Sequence, residues 1–500
     1  MRVLHKSLRI AALAVLGSLL LLSAAFIYME RTGVIRLKPG AVKQSVRLLA
    51  ASKYNPFRKD YISLPKARED LAELFAAFER VHPDISFYLG TEGYAALKNS
   101  ALDELTSAAD GGERVGLRRF AAILIRAAVA IGDGHTRVFW NPAPDFTDPS
   151  RELPPFALER RGGRFYITGA SDSSILGMEL LSVNGKPAED IVKGMLPYIS
   201  GETEHYRLMG AARNLAGCWI LSGRFADVPE LELSLKDGDG RAHTKRLPQL
   251  TLREYASMGK LRPAVPRETA ALRLFKKAQV AWLNYRSFDA SKEALGELDA
   301  IFDGIKASGC KDLVIDISDN GGGSTNAGEF IFARITDKPY RQISRMDLRI
   351  SPESLRDDPG LEKYRDRMGE NIRIDVPLEK PSKKPANFFD GKVTLIIGPE
   401  TFSSAADFAV AFRDFKMGEL VGDETGGIPS CFGEMAHMSL KNSGIRYTIS
   451  KKRFYGPLNK PGDDKHGVRP DIPLTEALLR PYKGSVQAFV LDHLSRSRKP

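Results

Sequence analysis

The sequence predicts an α/β protein, with helical and β-rich regions ahead of a half in which strands and helices alternate. Two segments carry that prediction, each reading as strand, glycine- or serine-rich turn, then helix. The first runs Leu313-Val-Ile-Asp-Ile-Ser-Asp-Asn-Gly-Gly-Gly323 into a helical stretch from Thr325 to Ile335. The second runs Val393-Thr-Leu-Ile-Ile-Gly-Pro-Glu-Thr-Phe-Ser-Ser404 into Ala405 to Phe415. The third observation is length: 500 residues exceed what one hydrophobic core organises, so two or three units are expected.

Taken in chain order, the first element is a targeting segment. Arg2, Lys6 and Arg9 precede an uncharged run from Ile10 to Met29, long enough to span a bilayer as a helix. Ser23-Ala24-Ala25 within it offers a small-residue cleavage site. Residues 1–30 therefore read as a signal peptide or signal anchor. The expected location is extracytoplasmic, periplasmic or at the cell surface, with the membrane touched through this segment. Residues 31–63 form a basic linker with little periodicity. Residues 64–155 read as a helical unit. Leu71, Leu74, Phe75 and Phe78 fall at helical spacing, as do Leu97, Leu102 and Leu105. A third apolar helix, Arg118 to Ile131, stops at Gly132-Asp-Gly134.

Residues 156–253 are β-like. Phe165-Tyr-Ile-Thr is a short strand. Met178-Glu-Leu-Leu-Ser-Val-Asn-Gly-Lys is a strand closed by an Asn-Gly turn, followed by a helix from Ala188. Asp237-Gly-Asp-Gly240 links two further strands. Residues 277–480 hold the alternating strand and helix units. A charged insertion from about Thr336 to Asn387 interrupts them, as a lid or a long surface excursion.

The net charge of +11 arises from 73 basic and 62 acidic residues. No nucleic-acid-binding motif accompanies it, so it reads as a solvated basic exterior and no nucleic-acid partner is expected. Cys218, Cys310 and Cys431 are too few for a disulfide framework. There is no GxSxG elbow, HExxH, Walker A loop, zinc-type Cys/His cluster or GxGxxG, so neither metal nor cofactor is expected. The oligomeric state is not legible.

The two turns supply the equipment of acyl transfer, a nucleophile and donors for an oxyanion. Ser404 is the predicted nucleophile, at the start of a helix whose unpaired N–H groups carry positive potential. The N–H of Ala405, with that of Gly321 or Gly322, is the predicted oxyanion hole. A serine needs a base. His135, in Gly132-Asp-Gly-His-Thr136, is presented by a loop at a helix end; His437 and His466 are its rivals. An acid must orient the imidazole. Asp464 or Asp463 could do so, with Glu434 a further alternative.

At these residues the chain resembles the tail-specific (C-terminal-processing) and tricorn-core family of serine peptidases, over about residues 65 to 480. Asp316-Ile-Ser-Asp-Asn-Gly-Gly-Gly323 resembles its Asp-x-Arg-x-Asn-Gly-Gly-Gly segment, with Ser318 in place of arginine. Thr401-Phe-Ser-Ser-Ala-Ala-Asp407 resembles the nucleophile motif, and aligning Asp407 with the motif's acid selects Ser404 over Ser403. Val421-Gly-Asp-Glu-Thr-Gly-Gly427 and Gly467-Val-Arg-Pro-Asp-Ile472 resemble two later motifs. The resemblance implies a crotonase-like (ClpP/crotonase) catalytic core and a PDZ-like domain at residues 156–253, with Leu181-Ser-Val-Asn-Gly185 as its best match. It implies an exported serine endopeptidase that hydrolyses peptide bonds of polypeptides through an acyl-enzyme. The Ser-Lys branch places a lysine in the stretch Thr425–Glu434, which here has none. The tricorn-like Ser-His branch places its histidine and acid where His135 and Asp464 stand, with a serine where this chain has Gly134. The alternative is an inactive member that binds peptides or other ligands.

Overall fold

A computed structural model describes residues 61–140, 150, 152–225, 228–258, 268–381 and 383–498. The apolar run Ile10–Met29 and nearly all of the basic linker lie outside the described residues. Among the described residues no helix is long and apolar enough to cross a membrane. The fold is mixed α/β with several sheets.

The central sheet has six strands in the order Ala270–Phe275, Val280–Tyr285, Asp312–Asp316, Lys392–Ile397, Glu419–Gly422 and Ile472–Pro473. The first pair is antiparallel and all later pairs are parallel. Parallel strands are covered on both faces and so read as apolar runs. Side chains alternate between those faces. Leu283, Leu313, Ile315, Leu395 and Ile397 point into a core shared with the helices Lys292–Ser308, Thr325–Ile335 and Ser404–Asp414. Trp282, Val314, Ile396 and Val421 face the C-terminal helix Val486–Arg496.

Strands Asp312–Asp316 and Lys392–Ile397 are direct neighbours, with Asp316 opposite Ile396. The two turns at their carboxyl ends therefore lie side by side. They are stitched together by Phe402 N–H to Asn320 O at 3.0 Å and Thr401 Oγ1–H to Ile317 O at 2.8 Å.

The charged insertion is neither a lid nor a loose excursion. Its strands Arg345–Arg349 and Asn371–Asp375 join Phe432–Ser439 and Arg446–Tyr455 in a five-stranded sheet, which Arg137–Phe139 completes. Leu348, Ile350, Leu355, Leu361 and Ile372 give the insertion its own small core.

Helices Leu64–Val81, Gly90–Ser107 and Leu117–Ala130 lie where periodicity places them. Their apolar faces share one core with Ala436, Leu440, Tyr447 and Ile449 of the five-stranded sheet. Buried Asp70 secures the contact by accepting the Asn442 N–H at 2.9 Å and the Ser443 N–H at 2.7 Å.

The middle region forms a further sheet, Phe156–Arg161, Arg164–Ala170, Glu179–Val183, Glu230–Lys236 and Ala242–Pro248. Asn184 and Gly185 adopt φ of 50° and 75°, as a two-residue hairpin turn requires. This region also contains two helices, Glu204–Arg213 and Leu215–Ser222, in a stretch read above as β-like. Leu208, Ala211, Ala212 and Leu215 follow helical spacing and pack beneath the sheet.

Candidate active site

Ser403 occupies the corner between strand and helix, with φ 54° and ψ −135°. A non-glycine residue at positive φ is strained and persists only where its surroundings enforce it. Here two glycines make the room. A Cβ on Gly322 would lie 2.8 Å from the Ser403 Cβ and 2.7 Å from the Phe402 carbonyl oxygen. One on Gly427 would lie 3.1 Å from the Ser403 nitrogen. The corner presents the Ser403 hydroxyl outward, where its Oγ lies 3.0 Å from His135 Nε2.

The assignment of Ser404 is corrected by this geometry. Ser404 is the first residue of helix Ser404–Asp414, and its Oγ is buried with no hydrogen-bond partner. One residue along a helix turns the side chain by about 100°. The hydroxyl that meets the histidine is therefore that of the corner residue, and the next one points into the core.

His135 follows Gly132, whose φ of 84° ends the preceding helix. The loop is clamped against strand Arg446–Tyr455. Thr448 Oγ1–H donates to His135 O at 2.8 Å, and Ser450 Oγ–H to Asp133 Oδ2 at 2.6 Å. The imidazole stacks on Phe402 at 5.0 Å, and Phe402 stacks in turn on Tyr206 at 4.4 Å. Burial holds the imidazole below its ordinary pKa, aided by the Arg137 charge and opposed by Asp133. His437 and His466 are both exposed and make no bond to Ser403.

The carboxylate beside the ring is Asp133, not Asp464. Asp133 Oδ1 lies 3.8 Å from His135 Nδ1 and accepts the His135 N–H at 2.8 Å. Asp464 is half-buried and makes no bond to the imidazole. The reason is local: Asp133 shares a tight loop with the histidine, whereas the 463–464 segment is tied elsewhere. Asp463 accepts the Lys460 N–H at 2.7 Å, and Glu434 pairs with Lys452 at 2.6 Å. Asp133 also accepts Thr136 Oγ1–H at 2.5 Å, with His82 Nε2 at 3.5 Å. His82 Nδ1 accepts the Asp84 N–H, so a neutral His82 carries its proton on Nε2, facing Asp133. Burial alone would push the Asp133 carboxyl up. The His82 ring N–H and the Ser450 hydroxyl, joined by the positive charge of either imidazole when it is protonated, outweigh it and hold the group below the ordinary carboxylate range.

A second acid, absent from the sequence-based set, completes the cluster. Glu202 Oε1 accepts the Gly134 N–H at 3.0 Å, while its Oε2 is buried without a partner. Oxygen or nitrogen atoms of Asp133, His135 and Glu202 all lie within 4.8 Å of one another. Both Asp133 oxygens already receive donors, so the cluster is an acid pair beside an imidazole rather than an open metal cage.

The predicted oxyanion donors are redistributed. The Ala405 N–H is committed to Phe402 O at 3.2 Å and the Gly322 N–H to Asn320 Oδ1 at 2.8 Å. The N–H groups of Ser404, next to Ser403 in the chain, and of Gly321, next to Gly322, make no hydrogen bond among the described residues. A separate cleft of about 1090 Å³ lies between Arg160–Gly163 of the middle sheet and Gly398–Glu400; neither Ser403 nor His135 lines it.

Residues 279–474 match the sequence model of peptidase family S41. Among solved structures, mature CPAF complexed with lactacystin is 17% identical, with a TM-score of 0.60 over 86% of this chain and 98% of that one. Mature CPAF is 16% identical, with a TM-score of 0.61 over 87% and 99%. A CPAF serine-to-alanine mutant is 17% identical, with a TM-score of 0.63 over 86% and 96%. No curated protein sequence matches the chain. The matched residues carry both stitched turns and the Ser403 corner, so this stretch of the chain is similar to peptidase family S41, and the fold is shared with the CPAF structures.

Proposed function

We propose that the protein is an exported endopeptidase that cleaves polypeptides through an acyl-enzyme on Ser403. The observation that carries this reading is the 3.0 Å contact between the Ser403 hydroxyl and His135 Nε2, made from a strained corner. His135 Nε2 accepts the hydroxyl proton as Ser403 Oγ attacks the scissile carbonyl. For Nε2 to accept, the neutral imidazole carries its own proton on Nδ1, 3.8 Å from Asp133 Oδ1, and after the transfer both ring nitrogens hold a proton. The depressed pKa keeps the imidazole neutral near pH 7, the state a general base requires. The free N–H groups of Ser404 and Gly321 receive the oxyanion. His135 returns its proton to the departing amine, and water releases the acyl group by the same route. In this reading the central sheet with its two turns is a crotonase-like core and residues 156–253 are a PDZ-like domain. The leader at residues 1–30 delivers the chain outside the cytoplasm.

Fluorophosphonate labelling with fragment mapping tests the proposal. The adduct is expected on Ser403. Ser403→Ala should abolish labelling and lower kcat by roughly 10⁴- to 10⁶-fold, whereas Ser404→Ala should retain both. An adduct on Ser404 would overturn the assignment. No adduct in folded protein would favour the binding reading.

A further inference from the structure

We infer that Glu202, held as an uncharged acid, is a positioning residue for His135, contributed to the active site by the middle region of the chain. The inference rests on the reading of His135 as the general base of Ser403.

Glu202 belongs to a short segment that touches every part of the site. Ser200 Oγ–H donates to Thr136 O at 3.1 Å, just after the histidine. Thr203 Oγ1–H donates to Gly426 O at 2.9 Å, and His205 Nε2 lies 2.8 Å from Thr425 O. Tyr206 stacks on Phe402, which also stacks on the imidazole. Glu202 is the member of this segment that reaches beneath the ring. Its Oε1 fixes the Gly134 N–H, so the backbone just before His135 cannot swing.

The other oxygen decides the charge state. Glu202 Oε2 is buried and has no partner, and a carboxylate oxygen of Glu202 lies within 4.8 Å of both Asp133 and His135. Two ionised carboxylates cannot coexist there without a cation. Asp133 already collects the His135, Thr136 and Ser450 donors, which stabilise its anion. The proton therefore sits on Glu202, beside the Asp133 anion. The groups facing Glu202 are Asp133, His135, Arg137, Tyr88 and Cys431; of these Arg137 alone carries a fixed positive charge, and its Nε is directed to Gly134 O. Burial and the Asp133 charge push the Glu202 carboxyl up to about 8, against the pull of the Gly134 N–H. Above that pH a second anion forms beside Asp133, the pair repels, and the His135 loop loses its register.

The test is Glu202→Gln against Glu202→Ala in the full chain. Glutamine keeps an acceptor for Gly134 and a donor for Asp133 but does not ionise. Its kcat at pH 6.5 is expected within about threefold of wild type, and the alkaline decline of kcat near pH 8 should disappear. Alanine should lower kcat by roughly tenfold or more with little change in KM. A readout independent of turnover is the infrared difference spectrum of wild type minus Glu202→Gln. A protonated carboxylic C=O band should be present at pH 6.5 and lost above about pH 9. Absence of that band, or a glutamine variant as impaired as alanine at pH 6.5, would overturn the inference. Fluorophosphonate labelling of wild-type Ser403 separates the two readings. Failure to label removes the serine mechanism, whereas normal labelling without the infrared band removes only the role of Glu202.

Discussion

Asp407, the acid that the nucleophile motif shares with this chain, has a consequence for stability that can be worked through. It lies one turn into helix Ser404–Asp414, and its N–H donates to the Ser403 carbonyl at 3.1 Å. Its side chain is buried and Oδ1 has no partner. Burial alone raises its carboxyl pKa from 3.8 to about 7. Below the unfolded value, folded and unfolded chains both hold the proton, and the group adds no pH-dependent cost. As pH rises from about 4 to 7, the unfolded chain releases the proton and the folded chain keeps it, so stability falls by about 1.4 kcal/mol per pH unit. Above pH 7 the loss is complete, at most about 4 kcal/mol for a shift of roughly three units. Asp407→Asn removes this dependence, because the amide is neutral throughout. Any constant cost of burying the amide cancels when the variant is compared with wild type across pH. Scaling the unfolding entropy to a chain of this size gives roughly 1 °C per kcal/mol. The melting temperature of Asp407→Asn relative to wild type should therefore rise by up to about 4 °C between pH 4.5 and 8. Thermal unfolding followed by circular dichroism at four or five pH values measures it. Parallel curves for the two proteins would refute the reasoning, because they would mean that Asp407 ionises in the folded state as easily as in the unfolded one.

Three further outcomes follow from named contacts. Gly322→Ala places a Cβ 2.7 Å from the Phe402 carbonyl oxygen at φ 97°, so kcat should fall about 100-fold or more, measured on a peptide substrate. The acid limb of kcat/KM should lie below pH 6.5. Protonated His135 cannot take the Ser403 proton, and burial delays that protonation to lower pH; a limb above pH 6.5 would contradict the buried imidazole. Asp70→Ala leaves the buried N–H groups of Asn442 and Ser443 without their acceptor, which should cost about 2–4 kcal/mol in unfolding experiments while leaving kcat near wild type.

Much of the architecture was legible because its signals are local. The runs Leu313–Ile317 and Val393–Ile397 are apolar because both faces of a parallel sheet are covered, and the turns after them stand out by composition. The Asn184-Gly185 hairpin and the end of the third helix at Gly132 were equally local. The helices at Glu204–Ser222 also carried a local signal, in Leu208, Ala211, Ala212 and Leu215, which the surrounding β pattern obscured. The active site divides along the same line. His135 stood out in its loop as a candidate base, and Asp133 stood two residues away in the same loop, although the family resemblance directed attention to Asp464. Ser403 and Ser404 were beyond the reach of pattern. Adjacent serines have the same composition and the same place between strand and helix, and only the backbone angles at the corner decide which hydroxyl emerges.

Glu202 marks the limit more sharply. Nothing around it in Ile199-Ser-Gly-Glu-Thr203 distinguishes it from a solvated loop acid. Its role exists only once the middle region has folded against the loop of His135 and the turn at Thr425–Gly426. The same dependence has a functional corollary. In the proposed reading, a base whose backbone is fixed by a side chain from another region is only as well placed as that region is docked. A substitution that loosens the docking without touching the cluster, such as Thr203→Ala, should therefore lower kcat more than it raises KM. An equal effect on both would place the role of this segment in substrate binding instead.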